Sequence, residues 1–159
     1  GYDLSTEALA DARQQAEVAG LGNIQFEVRD LSDFGHSAEP EAFDFVTAFD
    51  AVHDQALPQS VLNGIYRTLR TSGTFLMQDI RASSRLENNL EHPIAPLMYT
   101  LSTMHCMTVS LAQGGAGLGT MWGEELAQEM LHKAGFETID VHRLDHDFQN
   151  NFYVMCKDS

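Results

Sequence analysis

The 159-residue chain carries 23 acidic against 9 basic side chains, a formal net charge of -14, and 43% of its residues are hydrophobic. That length and apolar content suit one domain with its own core, and the charge would repel a phosphate backbone, so nucleic acid is not expected as the substrate. No apolar run approaches the roughly 18 residues of a membrane span and no charged-then-apolar leader opens the sequence, so a cytoplasmic protein without membrane attachment is expected.

In chain order, Ser5 is suited to cap a helix whose Ala8, Ala12 and Ala16 recur at helical spacing and which stops at Gly20. Ile24, Phe26 and Val28 then alternate with polar residues, the period of a strand ending at Asp30 and Leu31. Residues 43 to 49 (Phe-Asp-Phe-Val-Thr-Ala-Phe) predict a strand covered on both faces. Pro58 opens a helix with an apolar stripe of Val61, Leu62, Ile65 and Leu69, closed by a Thr71-Ser72-Gly73 turn before a strand from Thr74 to Ile80.

Residues 81 to 121 interrupt this rhythm with a polar stretch, two prolines, a Met-rich apolar run from Ile94 to Ala112 and a glycine cluster from Gly114 to Gly119, and are expected to form an inserted helical lid. A helix follows from Glu124 to its closing Gly135. Thr138 to Leu144 and Phe152 to Lys157 then read as an antiparallel hairpin. Helices alternating with strands point to an α/β domain with a mostly parallel sheet.

In such a sheet, ligands bind beyond the carboxyl ends of the strands. Asp3, Asp30, Asp50 and Asp79 each stand at one of those ends and would converge on one rim. Asp3 is the candidate for holding ribose hydroxyls, and its alternative role is to help Ser5 cap the helix. Cys106 and Cys156 have neither C-x-x-C spacing nor a disulfide pattern and read as small buried hydrophobes. His142 and His146 lie on a strand and a loop, which argues against a metal pair, and no metal site is expected. The cluster from Gly114 to Gly119 reads as a flexible hinge, because it lacks phosphate-loop spacing and follows a helix.

The succession Gly1-Tyr2-Asp3-Leu4-Ser5, Phe26-Glu27-Val28-Arg29-Asp30-Leu31, Phe43-Asp44-Phe45-Val46, Leu69-Arg70-Thr71-Ser72-Gly73-Thr74-Phe75 and Ala134-Gly135-Phe136 resembles class I S-adenosylmethionine-dependent methyltransferases over nearly the whole chain. More narrowly, residues 49 to 56 and His105-Cys106-Met107 resemble a bacterial subgroup with an N-terminal winged-helix region. The resemblance implies a Rossmann-like three-layer sandwich, S-adenosylmethionine as cofactor and a small-molecule acceptor. It implies that Asp3 holds the ribose, Asp30 the adenine amino group, Leu4 and Leu31 the adenine faces, and the Phe49 carbonyl the methionine amine. Ser72 stands where that family more often has proline.

The family's glycine-rich loop is not found in these 159 residues. Gly1 is not Met and Tyr2 reads as a strand end, so the expectation is a fragment that lacks the first strand and helix of the family fold and is inactive alone. Methyl transfer needs alignment and exclusion of water more than a base. If a base acts, His53 beside Asp54 is the candidate, a helix-start histidine with a local hydrogen bond being the alternative. Met98, Tyr99, Met104, Met107 and Met121 suit core or homodimer packing before a substrate pocket. Two other functions remain open at this point, a non-catalytic dimerisation module and an NAD(P)-dependent oxidoreductase. The second is disfavoured because neither Tyr66 nor Tyr99 has lysine four positions on.

Overall fold

The computed structural model describes residues 1–158. The chain divides into two compact units, one spanning Gly1–Leu31 and the other beginning at Ser32. The strands correspondingly form two hydrogen-bonded sheets, one of two strands and one of four.

In the first unit, β1 (Tyr2–Asp3) and β2 (Glu27–Val28) pair in parallel across α1 (Thr6–Val18). Ser5 caps α1 as its position predicts, its side chain accepting from the Ala8 amide at 3.1 Å. The strand expected from Ile24 is only two residues long, since β1 offers only Tyr2 and Asp3 to pair with. Leu9 and Ala16 are the buried residues of α1.

The second unit runs α2 (Phe34–Ser37), β3 (Phe43–Phe49), α3 (Pro58–Thr68), β4 (Leu69–Ile80), a 3-10 turn (Leu86–Asn89), α4 (Ala95–Met104), α5 (Cys106–Ala112), α6 (Glu124–Ala134), β5 (Asp140–His142) and β6 (Asn150–Cys156). Its strand order is β3-β4-β6-β5, with β3 and β4 parallel and β6 antiparallel to both neighbours. The predicted closing hairpin is therefore present, with its second strand inserted beside β4. The apolar stripe of α3 buries Val61, Leu62 and Ile65, and Leu131 of α6, Phe75 and Met77 of β4, and Tyr153 and Met155 of β6 are buried as well. Phe136 stacks on Phe75 with centroids 5.8 Å apart and takes the edge of Tyr66 at 5.1 Å. Each fully buried side chain of this kind contributes about 1.5–3 kcal/mol of transfer free energy.

Several expectations need correction. β3 is an edge strand of its sheet, not one covered on both faces: Phe45 and Phe49 are each 56% exposed, and Val46 and Ala48 are only half-buried. The Thr71-Ser72-Gly73 segment does not precede β4 but lies within it, as an irregularity at which pairing jumps from Phe43↔Leu69 to Phe45↔Thr74. The Met-rich run is two helices rather than one, broken at His105 where ψ is -77° and φ -135°.

The glycine cluster is a site of close packing, not a loose hinge. A Cβ on Gly115 would lie 2.5 Å from the Ala56 backbone, and Ala116 donates to the Ala56 carbonyl at 2.9 Å. Gly119 combines φ +72° with a Cβ direction 2.1 Å from the Ser102 hydroxyl, so both backbone conformation and space demand glycine. Cys156 is exposed at the end of β6, whereas Cys106 is buried as expected.

Candidate active site

Parallel pairing of β3 with β4 aligns their carboxyl ends, because Phe49 opposes Gln78 and the Asp50 amide donates to the Gln78 carbonyl at 3.0 Å. Asp50 and Asp79 follow directly, as the rim argument predicts for this pair. The Gln78 side-chain amide donates to the Asp50 carboxylate at 3.1 Å. His53, three residues beyond Asp50, is 3% exposed, and its Nδ1 lies 2.8 Å from Oδ1 of Asp79. Its Nε2 lies 3.3 Å from Asp54 Oδ1.

The carboxylate that orients His53 is therefore Asp79, contributed by the neighbouring strand, rather than Asp54 beside it in sequence. An ionised Asp79 can only accept, so Nδ1 carries the proton and Nε2 is the nitrogen left to act as a base. Asp79 is 1% exposed, so this bond is made where little water competes.

Burial pulls the His53 pKa down, but the hydrogen bond to Asp79 and the charges of Asp79, Asp54 and Asp50 outweigh it and set the imidazole above its ordinary value. Burial chiefly, with the like charges of Asp79 and Asp54, raises Asp50 against the opposing Gln78 hydrogen bond and His53 charge. Asp54 Oδ1 and Asp79 Oδ2 are buried acceptors without a hydrogen-bond partner among the described residues. An unsatisfied buried acceptor costs about 1–3 kcal/mol, which an incoming donor would relieve.

Cys106, from the 81–121 segment, adjoins this cluster. Thr120 donates to Cys106 Sγ at 3.2 Å, and the Thr120 amide donates to Ser102 at 3.1 Å. Burial, then the neighbouring Asp54, push the Cys106 thiol up against the Thr120 hydrogen bond, so it stays protonated. The donor atoms of His53, Asp54 and Cys106, and likewise those of Asp50, His53 and Asp79, lie within 4.8 Å of one another, and these two overlapping sets are where a cation can be held. His142 and His146 belong to neither set and are exposed.

The remaining candidates belong to the first unit. Asp3 and Asp30 stand at the carboxyl ends of β1 and β2, whose register is fixed by the Arg29 amide donating to the Asp3 carbonyl at 2.9 Å. The Asp3 carboxylate accepts from the Ser5 amide at 2.7 Å, so the capping role read as its alternative is realised. Asp3 and Asp30 are exposed, Leu4 is 59% exposed and Leu31 is half-buried. Two exposed carboxylates, each followed by a leucine, are hydrogen-bond acceptors of the kind that fits ribose hydroxyls and an adenine amine as donors.

Sequence reasoning placed Asp79 among the strand-end acids but did not pair it with His53, and gave Thr120 no role. The Asp79 pairing was discoverable from the parallel register, which sets Phe49 beside Gln78; the Thr120 contact depends on how residues 81–121 fold back on themselves.

A sequence model of the methyltransferase-domain family matches residues 1–135. The chain belongs to that family, in agreement with the resemblance read from its motifs. No curated protein matches it by sequence. Among solved structures it is similar to an O-methyltransferase family protein from Burkholderia thailandensis, with TM-score 0.71 and 17% identity over 99% of this chain and 43% of the other. It is also similar to phosphoethanolamine N-methyltransferase 2 of Haemonchus contortus in complex with S-adenosyl-L-methionine, with TM-score 0.70 and 16% identity over 100% of this chain and 43% of that one. The [4+2]-cyclase SpnF shares the fold at TM-score 0.68 and 16% identity, over 99% of this chain and 65% of its own. The chain thus spans less than half the length of the two methyltransferases, and the cyclase demonstrates that this fold hosts more than one reaction. No helix among the described residues is long and apolar enough to cross a membrane.

Proposed function

We propose that the chain is part of a cytoplasmic S-adenosylmethionine-dependent methyltransferase acting on a small-molecule acceptor, with His53 as the base. The buried His53–Asp79 pair at the carboxyl end of two parallel strands carries this reading. S-adenosylmethionine supplies an electrophilic methyl group when bound. Asp3 holds its ribose hydroxyls, Asp30 its adenine amino group, Leu4 and Leu31 flank the adenine, and the Phe49 carbonyl accepts from its amine.

Asp79 fixes the imidazole so that Nε2 faces the acceptor. His53 takes the acceptor's proton there and becomes an imidazolium between Asp79 and Asp54, a state that the surrounding carboxylates favour. Asp54 Oδ1, 3.3 Å from Nε2, stabilises the imidazolium so formed. The segment from 81 to 121 serves as the lid that excludes water. These 159 residues, which hold no glycine-rich cofactor loop, do not transfer methyl groups on their own, and neither nucleic acid nor membrane is the substrate.

In the intact polypeptide, S-adenosylhomocysteine should bind in a calorimetric titration and NAD should not. His53→Gln should lower kcat by about 100-fold or more while leaving S-adenosylhomocysteine affinity unchanged. Binding of NAD alone, or full turnover in His53→Gln, would overturn the respective halves of this reading.

A second role has one observation in its favour. Leu97, Leu101 and Met104 of α4 are 54%, 44% and 75% exposed at helical spacing, a stripe suited to homodimer packing. Leu101→Glu should convert a dimer to a monomer by light scattering; an unchanged mass would remove this role.

A further inference from the structure

Beyond Asp79, β4 ends at Ile80, and the chain turns through Arg81 into an open cleft of about 760 Å³ bounded by the start of α6 and the β5–β6 connection. Its walls include Arg81, His92, Glu124, Gln128, Arg143 and Phe148. Most of the polar groups there are occupied by one another. Glu124 accepts from Arg143 at 2.5 Å, from Asn151 at 2.7 Å and from Gln128 at 3.2 Å.

Glu125, also on the wall, accepts from the Ser84 amide and the Ser83 hydroxyl, each at 2.7 Å. The backbone hydrogen bond from Ser84 does most to hold its carboxyl down at about 2, with burial opposing and Ser83 assisting. His92 Nδ1 accepts from the Ile94 amide at 3.4 Å, so Nε2 bears the proton it shares with the Arg81 carbonyl at 2.9 Å.

Arg81 stands apart from this. Its backbone is pinned, the amide donating to the Gln149 carbonyl at 2.7 Å, but its guanidinium makes no ion pair or hydrogen bond among the described residues. Arg81 is exposed on the wall of the cleft, in a chain with 23 acidic and 9 basic side chains, so its guanidinium is open to an anionic ligand. Phe148 lines the same cleft and is 57% exposed, offering a ring face to something planar.

We propose that this cleft binds an aromatic carboxylate, its carboxyl group held by the Arg81 guanidinium and its ring against Phe148. The volume suits a molecule of more than one ring. Arg81 lies just past the end of β4, two residues beyond Asp79 in sequence, which makes the aromatic acid the candidate methyl acceptor. That last assignment rests on the methyl-transfer reading, whereas the binding site does not.

The test is titration of the full chain with 2-naphthoate, followed calorimetrically and by amide NMR shifts, without any cofactor. Naphthoate should bind, with shifts at Arg81, Gln128 and Phe148, and the neutral 2-naphthamide should bind about tenfold more weakly or worse. Arg81→Gln should cost about tenfold in affinity. Phe148→Ala should cost a smaller factor, and Arg67→Gln, an exposed arginine outside the cleft, should cost nothing.

Circular dichroism checks that each variant folds, and Arg81→Lys, which keeps the charge without the planar fork, should fall between wild type and Arg81→Gln. Equal binding of acid and amide, or full affinity in Arg81→Gln, would overturn the proposal; inorganic phosphate competing as well as naphthoate would reduce the site to a plain anion site and overturn its aromatic half. Naphthoate binding in a protein that ignores S-adenosylhomocysteine would sink the methyl-transfer reading and leave this site standing.

Discussion

The two units of this chain both place a helix between parallel strands, yet they differ in how much they bury. From Ser32 onward, β4 is paired on both edges and carries Phe75 and Met77 with no exposure at all. Gly1–Leu31 has two strands of two residues each and leaves Leu4, Val18, Leu21, Ile24 and Val28 exposed. Burial decides what each can hold still. His53 and Asp79 are locked by a bond formed away from water, while Asp3 is held by one exposed hydrogen bond to the Ser5 amide. The buried His53–Asp79 pair lies among well-packed strands, and the exposed Asp3 and Asp30 lie in a unit that buries little.

This contrast can be broken by mutation. Phe75→Ala should cost about 3–5 kcal/mol in urea denaturation, because the cavity beneath Phe136 cannot refill. A loss near 1 kcal/mol would mean that the second unit is far less tightly packed than its burial indicates. Asp79→Asn replaces the partner of a buried histidine and should cost about 3 kcal/mol near pH 6, where His53 is charged.

The pH dependence has a definite sign. The folded pKa of His53 is raised, so its contribution is complete below the unfolded value of about 6.5 and fades as pH climbs through the folded value. The wild-type urea midpoint should therefore fall between about pH 6 and pH 8, and His53→Gln should flatten that fall.

In the first unit, Ser5→Ala should cost only about 1 kcal/mol in the local opening free energy of α1, read by hydrogen exchange. The same experiment should find β1 and β2 amides exchanging far faster than those of β4. Equal protection in the two sheets would erase the distinction. Smallest of all, Lys133→Ala removes an exposed i,i+4 pair with Glu129 and should change stability by about 0.5 kcal/mol or less.

The local elements were legible because they depend on neighbours in sequence. Ser5 as a cap, Pro58 opening α3, Gly135 closing α6 with φ +117°, and the bounds of β3 all follow from residue type and spacing. The Gly115 and Gly119 conformations were misread as a hinge because their cause lies in Ala56 and Ser102, distant in sequence. Likewise β3 was read as doubly covered from its apolar run, although composition alone does not reveal which strand lies at a sheet's edge.

The sequence by itself determined the family, the alternation of helix and strand, and the placing of Asp3, Asp30, Asp50 and Asp79 at strand ends, since these are properties of local pattern. Only the tertiary structure decided that Asp79, 26 residues away, orients His53, and that Arg81 is the uncommitted cation of a cleft. Both depend on strand register and on which partners burial brings within hydrogen-bonding reach, and neither is written in any single segment of the chain.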